Sequence, residues 1–432
     1  MNIMSWGNYP KTKNQIFKFN KLHKLKKLLK SNNNLIVHGN GRSYGDSALG
    51  KKIILSRKYN YFIDFDESSG LLKLQSGVLL QDILEIFVPL GWFLKVTPGT
   101  KFVTVGGAIA SDVHGKNHHI YGSFSECIKS FTLMISSGEI IRCSQKENSE
   151  LFKATCGGMG LTGVIVDVEL FLKRIKSSNL TQTTIKSTSL KETFDIFEQY
   201  SSNEYIVAWI DCLEKDKKLG KCLIYVGSFL KDGKLAYDEN KTIQLRFMMP
   251  LLIINRITIK FFNFLYFYKV RKKISERIVS INSFFYPLDS VLNWNKIYGK
   301  NGFIQYQFVL PKKNSYSGLK EILSKISRSS CTPTLSVLKL FGPGNENFLS
   351  FPIEGYTLAV DFKIDRNLFK LLDSLDTIVV KNNGRIYLAK DARVDKKVFE
   401  LGYTQIDKFR KIRKKYDLEK KFNSLQSVRL EI

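Results

Sequence analysis

The sequence predicts an α+β protein built from two unequal domains, and three observations lead there. The chain has 432 residues, 44% of them hydrophobic and 12% aromatic, enough to close two cores and too apolar for a disordered chain. Glycine is dense up to about residue 177 and sparse beyond it. Runs that alternate every second residue stand beside runs with leucine at helical spacing, a mixture that folds as antiparallel sheet with packed helices.

The elements follow in order. Residues 15–30 are basic and carry Leu22, Leu25, Leu28 and Leu29 at helical spacing, which predicts an amphipathic helix. Residues 34–37 form a short buried strand feeding a glycine loop, His38-Gly39-Asn40-Gly41-Arg42-Ser43-Tyr44-Gly45-Asp46-Ser47. Strands are expected over 51–55, 61–65 and 71–75, then a helix over 80–90 stopped by Gly91, and a strand over 92–96. Residues 128–136 and 139–143 read as a hairpin across Ser137-Gly138. Residues 147–156 read as a short helix ended by Gly157-Gly158-Met159-Gly160-Leu161-Thr162-Gly163, and 164–172 as an alternating strand. Past residue 177, strands are expected over 205–212, 222–229, 302–310, 335–340 and 357–363, with helices over 190–200, 316–328 and 367–377.

The first glycine loop fails both familiar phosphate motifs. Gly39, Gly41 and Gly45 are spaced GxGxxxG rather than GxGxxG, and strand follows instead of helix. Gly45 to Lys51 matches GxxxxGK, but Lys52 occupies the place of the magnesium-binding hydroxyl. A glycine run can still hold an anion on backbone amides without either motif.

Residues 97–119 are the most unusual stretch. Thr97-Pro98-Gly99-Thr100, Val105-Gly106-Gly107-Ala108 and Asp112-Val113-His114-Gly115-Lys116-Asn117-His118-His119 follow one another and hold three of the five histidines. Small residues threaded with apolar ones do not suit an ordinary strand or helix core. They suit a backbone that approaches something bulky and acidic, and a flavin is the reading that the rest of the chain tests. A metal on His114, His118 and His119 is disfavoured, because Gly115 and Asn117 do not favour a helix presenting HxxxH.

Composition narrows the class further. Lys+Arg 67 against Asp+Glu 39 leaves a formal charge of +28, which fits nucleic acid, an anionic membrane face or an anionic substrate. A base-composition bias toward Lys, Asn, Ile and Phe codons explains it equally well. The glycine loops argue against nucleic acid. Cys127, Cys143, Cys156, Cys212, Cys222 and Cys331 show no CxxC spacing, as expected in a reducing compartment. Residues 1–13 lack the apolar core of a signal peptide, so a cytoplasmic protein is expected. Residues 248–277 are rich in Phe, Tyr, Leu and Ile and then strongly basic, with Arg256 and Lys260 interrupting them. They are no clean spanning helix. They read either as a segment at an anionic membrane interface or as a buried helix of the second domain.

Taken in order, the glycine loops, the His114–His119 run and the Gly157–Gly163 turn resemble the FAD-dependent oxidoreductases of the vanillyl-alcohol-oxidase/PCMH superfamily. Within it, the chain is most similar to the branch that oxidises the 2′-hydroxyl of a polyprenylphosphoryl pentose. Later motifs share the resemblance: Tyr286-Pro287-Leu288-Asp289, Gln305-Tyr306-Gln307-Phe308, Lys339-Leu340-Phe341-Gly342, Ser350-Phe351-Pro352 and Tyr387-Leu388-Ala389-Lys390-Asp391. The resemblance implies a two-part PCMH-type FAD domain, 1–177 and 384–432, around an inserted substrate (cap) domain, 178–383, built on an antiparallel sheet.

It also implies site residues. Gly39 to Ser47 (with Asn40, Gly41, Arg42, Ser43, Tyr44, Gly45 and Asp46 between), Thr104, Val105, Gly106 and Gly107 would line the FAD pyrophosphate. Gly99, Ser111, Asp112, Val113, His114, Ile165 and Tyr387 would line the rest of the cofactor. Lys390 would stand beside flavin and substrate, making Lys390, Tyr387 and His114 the catalytic set. Trp209, Tyr286, Gln305, Gln307 and Lys339 would line the substrate pocket. On spacing alone, Gln305 and Gln307 share one face of a strand, which solvent would satisfy as well. Relatives that bind FAD covalently use a histidine near Tyr44. None lies between His38 and His114 here, so FAD is expected to be non-covalent. Ala359 stands where some relatives carry a cysteine open to electrophiles, so covalent capture is not expected. The implied partners are a polyprenyl-phosphoryl sugar, an NAD(P)H-dependent short-chain reductase and a peripheral contact at the inner face of the membrane. A soluble aldonolactone or alditol oxidase of the same superfamily is the alternative.

Overall fold

The structure, a computed structural model, describes residues 3–237, 242–248 and 254–432. The chain enters through β1 (Gln15–Lys18), α1 (Leu22–Ser31), β2 (Leu35–His38) and β3 (Lys52–Leu55). β3 lies between β1 and β2 and runs parallel to both. The helix expected over residues 15–30 therefore starts late. Ile16 and Phe17 pair with Ile53 and Ile54 as strand, and the buried helical stripe begins only at Leu25 and Leu29.

A second, antiparallel sheet contains β4 (Phe62–Asp66), β5 (Leu71–Gln75), β6 (Trp92–Leu94), β7 (Ile128–Met134), β8 (Ile140–Cys143) and β9 (Val164–Arg174). Its order is β4-β5-β9-β7-β8, with β6 also pairing to β9. Packed around it are α2 (Leu80–Phe87), α3 (Val105–Ala110) and α5 (Ser149–Thr155), while α4 (His118–Tyr121) reaches toward the third sheet. The short helix α3 is a departure, since residues 97–119 were not expected to hold a regular core element. Thr104 caps it, its Oγ1 accepting from the Gly107 N–H at 3.1 Å. Val105, Ala108 and Ile109 bury one side. At its far end the N–H groups of Gly157 and Met159 donate to the carbonyls of Ile109 and Ala110, so the second glycine cluster holds this helix in place.

The third sheet is the largest. It is built from β10 (Asn179–Ser187), β11 (Tyr205–Ile210), β12 (Cys222–Phe229), β14 (Ile274–Ser280), β16 (Phe303–Pro311), β17 (Pro333–Phe341), β18 (Gly355–Lys363) and β19 (Arg385–Ile386). The order β14-β10-β12-β11-β17-β18-β16-β19 is antiparallel at every step. The two-residue strands β13 (Ile243–Gln244) and β15 (Val291–Leu292) pair separately. β10, β14 and the two-residue β19 are strands that periodicity did not reveal: neither Asn179–Ser187 nor Ile274–Ser280 alternates apolar and polar residues regularly. The helices are α6 (Leu190–Gln199), α7 (Arg256–Tyr268), α8 (Ile281–Phe285), α9 (Lys312–Arg328) and α10 (Leu368–Lys381). One face of this sheet carries Tyr306, Phe308, Leu338, Leu358 and Val360 into a core with Phe197, Leu319, Ile322, Leu323 and Leu372. The chain ends in α11 (Lys396–Gly402), α12 (Ile406–Tyr416) and α13 (Leu425–Leu430).

The described residues of the stretch 248–277 do not form a buried helix. Residues 249–253 lie outside the described part, and α7 follows with only Asn263 and Phe267 buried. Ile257, Phe261, Phe262, Phe264, Leu265 and Tyr268 are each at least half exposed. Among the described residues no helix is long and apolar enough to cross a membrane.

Candidate active site

The site is built on the face of the large sheet opposite its helix-packed core. Because side chains on paired residues point the same way, the register Trp209↔Val337, Val337↔Ala359 and Ala359↔Gln307 draws one row across four strands. Gln305↔Asp361 and Thr357↔Lys339 lie in the neighbouring rows of the same face. On this face Gln307 is buried and Gln305 half-buried. Gln307 is 4% exposed. Its Nε2 donates to Nε2 of His114 at 3.1 Å and to Oγ1 of Thr357 at 3.3 Å. The Gln305 amide donates to Asp361 Oδ1 at 2.6 Å.

His114 is brought to this face by the bend after α3. Its ring packs on Phe341, Tyr387 and Phe351, with centroids 4.7, 5.2 and 5.6 Å away. Burial, with the positive charges of Lys339, His118 and Lys390, holds its pKa well below the usual imidazole range. The ring is neutral, and a Nε2 that accepts from Gln307 leaves the proton on Nδ1. That buried Nδ1 has no protein partner. His118 is packed against Phe341 at 4.4 Å, and burial pushes its pKa to about 3. His119 turns away to the Asn203 carbonyl at 2.8 Å.

The first glycine loop meets the segment 387–391 far along the chain. The Tyr44 N–H donates to the Ala389 carbonyl at 3.0 Å, and the Asp46 N–H to the Asp391 carbonyl at 3.4 Å. A Cβ on Gly45 would overlap the Asp391 carbonyl oxygen, and one on Gly39 would overlap Thr104 Oγ1, so glycine is required at both close approaches. Lys390 is thereby placed with its Nζ 3.5 Å from the centroid of the Tyr44 ring. Tyr387 donates from its hydroxyl to the Ser111 carbonyl at 3.1 Å and stacks on Phe351 at 4.5 Å.

Other residues expected at the cofactor contribute backbone more than side chain. Asn40 Nδ2 donates to the Phe102 carbonyl at 2.8 Å. Asp46 is committed to Arg429, which also pairs with Asp391. The Asp112 carboxylate is wholly buried and accepts from Ser125, Asn345, Asn347 and Ser350. Its backbone sits at φ +38. Ile165 is buried, with its carbonyl accepting from Ser76. Thr97 and Tyr286 exchange a hydroxyl hydrogen bond at 2.6 Å. Trp209 lies at the far end of the row, 4.8 Å from the ring of Tyr266 on α7.

Two residues that sequence reasoning passed over belong here. Lys116 sits inside the His114–His119 run, and its ammonium donates to the Phe284 carbonyl. Burial, then the charge of Lys339, lowers its pKa to about 7. Asp361 is fully buried, and its Oδ2 has no protein partner. Burial raises it to about 7 against the opposing pull of Gln305 and Lys390. Burial also brings Lys339 to about 8 and, with Lys339 adding to the effect and Asp361 resisting it, Lys390 to about 7. Lys116 could have been found as the cation within the histidine run; Asp361 carries no local signal.

The polar groups left over fit FAD. Arg42 is held between Trp6 and Phe102, 4.0 and 4.9 Å from their centroids, with its Nε buried and unpartnered. Ser123 Oγ and His114 Nδ1 are also buried without partners. A Cβ on Gly99 would meet nothing within 4 Å. An anionic pyrophosphate and a flat heteroaromatic ring satisfy donors and open backbone of this kind.

Comparison with known proteins agrees. Residues 20–144 match the model of an FAD binding domain. The chain is 35% identical to a decaprenylphosphoryl-beta-D-ribose oxidase of Mycolicibacterium smegmatis over 412 residues, covering 92% of this chain and 89% of that one. It is 25% identical to a D-arabinono-1,4-lactone oxidase of Candida glabrata over 47% of this chain and 38% of the relative. An L-gulonolactone oxidase of Bos taurus is 29% identical over 40% of this chain and 39% of the relative. Carried by the full-length likeness, the chain belongs to the FAD-binding PCMH-type oxidoreductases, a family that oxidises CH–OH groups.

Proposed function

We propose that the protein oxidises the 2′-hydroxyl of a pentose, ribose or a close relative, carried on a polyprenyl phosphate. The product is the 2′-keto sugar, the first half of an epimerisation in cell-envelope polysaccharide synthesis. The observation that carries this reading is the convergence of Lys116, Lys339 and Lys390 with His114 beside Gln305 and Gln307, where Asp361 is the acidic group that acts on Lys390. Buried ammonium groups that repel one another are costly, and a phosphodiester beside the sugar offsets that cost. A neutral lactone or alditol brings no such charge, which favours a phosphorylated sugar over the aldonolactone reading. The Mycolicibacterium relative bears the name of such a substrate.

FAD, when bound, supplies the hydride acceptor for the carbinol carbon. Lys390 is neutral in part near pH 7 and takes the hydroxyl proton, becoming an ammonium that Asp361 and the Tyr44 ring stabilise. The Nδ1–H of His114, fixed by Gln307, would donate a hydrogen bond to the bound cofactor. Gln305 and Gln307 orient the sugar, while Lys339 and Lys116 hold the phosphate. Tyr387, locked on Ser111 and Phe351, excludes water from the reacting face.

FAD is held non-covalently. His38 is engaged through Nδ1 with the Ala48 carbonyl at 2.9 Å, and Tyr44 stands where relatives carry the linking histidine. Acid precipitation should leave the flavin in the supernatant. The keto product passes to an NAD(P)H-dependent short-chain reductase at the cytoplasmic face of the membrane. The deciding measurement is anaerobic bleaching of the bound flavin. A polyprenylphosphoryl pentose should bleach it and aldonolactones should not. The reverse order would establish the lactone oxidase, and equal bleaching by wild type and Lys390→Ala would remove Lys390 from the reaction.

A further inference from the structure

The outer face of α7 has no partner among the described residues. Ile257, Phe261, Leu265 and Tyr268 recur at four-, four- and three-residue steps and form one stripe, 81%, 63%, 51% and 50% exposed. Phe262 and Phe264 flank it, also more than half exposed. This is not a loosely attached helix. Asn255 caps its start, accepting from the N–H groups of Ile257 and Thr258. Its inner face is fastened by Asn263 to Asp211 after β11 at 2.7 Å, by Tyr266 to Tyr225 on β12 at 2.9 Å and by Arg256 to the Ser327 and Ser329 carbonyls at the end of α9. A helix so anchored presents its apolar stripe as a fixed surface, and contiguous exposed apolar surface of this kind marks a docking site.

The charge pattern selects the occupant. From Arg256 to Lys273 there is no Asp or Glu. Arg256 is turned inward and Lys273 is paired with Glu192, which leaves Lys260, Lys269, Arg271 and Lys272 as the cations beside the stripe. A second copy in a two-fold pair would set these same cations against one another, since both subunits use the same patch. An anionic bilayer attracts them while its acyl region takes up the aromatic stripe. We infer that α7 is a fixed membrane-docking helix that seats the protein on anionic lipid.

The placement of α7 gives this docking a use. Tyr266 on its inner face touches Trp209, the first residue of the row Trp209–Val337–Ala359–Gln307. Three strand spacings separate Trp209 from Gln307, about 14 Å. A lipid-linked sugar at Gln307 can therefore direct its tail toward α7 and the bilayer. This path rests on the proposed substrate, whereas the docking itself does not.

The FAD-loaded protein is tested by flotation with phosphatidylcholine vesicles, with and without phosphatidylglycerol. Wild type should float with the anionic vesicles alone. Phe261→Gln with Leu265→Gln keeps helix-forming side chains and should weaken binding about tenfold or more. Arg271→Gln with Lys272→Gln should do the same at low salt. Unchanged flavin absorbance establishes that each variant is folded. Flotation of the Phe261/Leu265 variant like wild type, or equal flotation of wild type with neutral vesicles, would overturn the inference. A lipid-free wild-type dimer that the Phe261/Leu265 variant dissolves would overturn it in favour of a second copy. Flavin bleaching by a short-chain, water-soluble phosphoryl pentose reads the substrate separately, so failure of either reading leaves the other standing.

Discussion

Nε2 of Gln307 donates to Nε2 of His114 at 3.1 Å, joining positions 193 residues apart. The amide's other proton goes to Thr357, whose own hydroxyl donates to the Phe308 carbonyl at 2.7 Å. The chain of donors orients the amide and so decides that His114 carries its proton on Nδ1. Gln307→Leu should break this assignment while keeping the side chain's volume. Stripping one partner from a buried group costs about 1–3 kcal/mol, so stopped-flow flavin reduction should slow roughly tenfold to a hundredfold, with FAD still bound.

Lys390 and its neighbours make opposite demands on pH. Lys390 accepts a proton only when neutral, so the rate of flavin reduction should rise with pH through about 7. In the proposed reaction charged lysines hold the phosphate, so affinity should fall as Lys116 discharges above about 7 and Lys339 above about 8. The profile of kcat/KM should be bell-shaped. In saturating substrate the bound anion raises all three lysines, moving the ascending limb of kcat upward. Lys390→Ala should abolish that limb. An unchanged ascending limb in this variant would assign the proton to another group.

Lys339 is kept at a cost to stability. Its pKa is lowered by burial to about 8 in the folded protein from 10.5. Below pH 8 it is charged in both states and the full desolvation cost opposes folding. Between about 8 and 10.5 the unfolded chain binds more protons, so the cost fades as pH rises. Lys339→Met should stabilise the flavin-free protein at pH 7 by about 1–2 kcal/mol, read as a higher Tm. The gain should shrink toward pH 10. A drop in Tm at pH 7 would show the ammonium to be well solvated.

Ala359 is next to Gln307 in the row that crosses the site, and the six native cysteines are all buried. Ala359→Cys should therefore give a single thiol open to maleimides or other electrophiles. Polyprenylphosphoryl pentose should protect it. Labelling by mass spectrometry that ignores substrate would place the thiol outside the pocket.

The pattern of elements was legible because it is local. Strands such as β12 and β18 and helices such as α6 and α9 announce themselves by side-chain period, and the glycine turns by their composition. Order along the chain was enough to suggest the FAD family. β10 and β14 were hidden because a strand beside the sheet edge need not alternate apolar with polar. The start of α1 was misplaced because the Lys-rich residues before Leu22 satisfy either conformation until Ile16 and Phe17 find β3.

The sequence by itself determined the α+β class, the loops that need small residues, the missing linking histidine near Tyr44 and the cationic excess. Only the tertiary structure decided which charges matter. Lys390 is lowered to about 7 because burial among Tyr44, Asp361 and Lys339, residues from three distant parts of the chain, penalises its charged form. Gln307 leaves solvent for His114 because the sheet turns that face inward. α7 stands exposed because the sheet beneath has room for only one side of it. Each of these is set by contacts between residues far apart in sequence, which no local period or composition encodes.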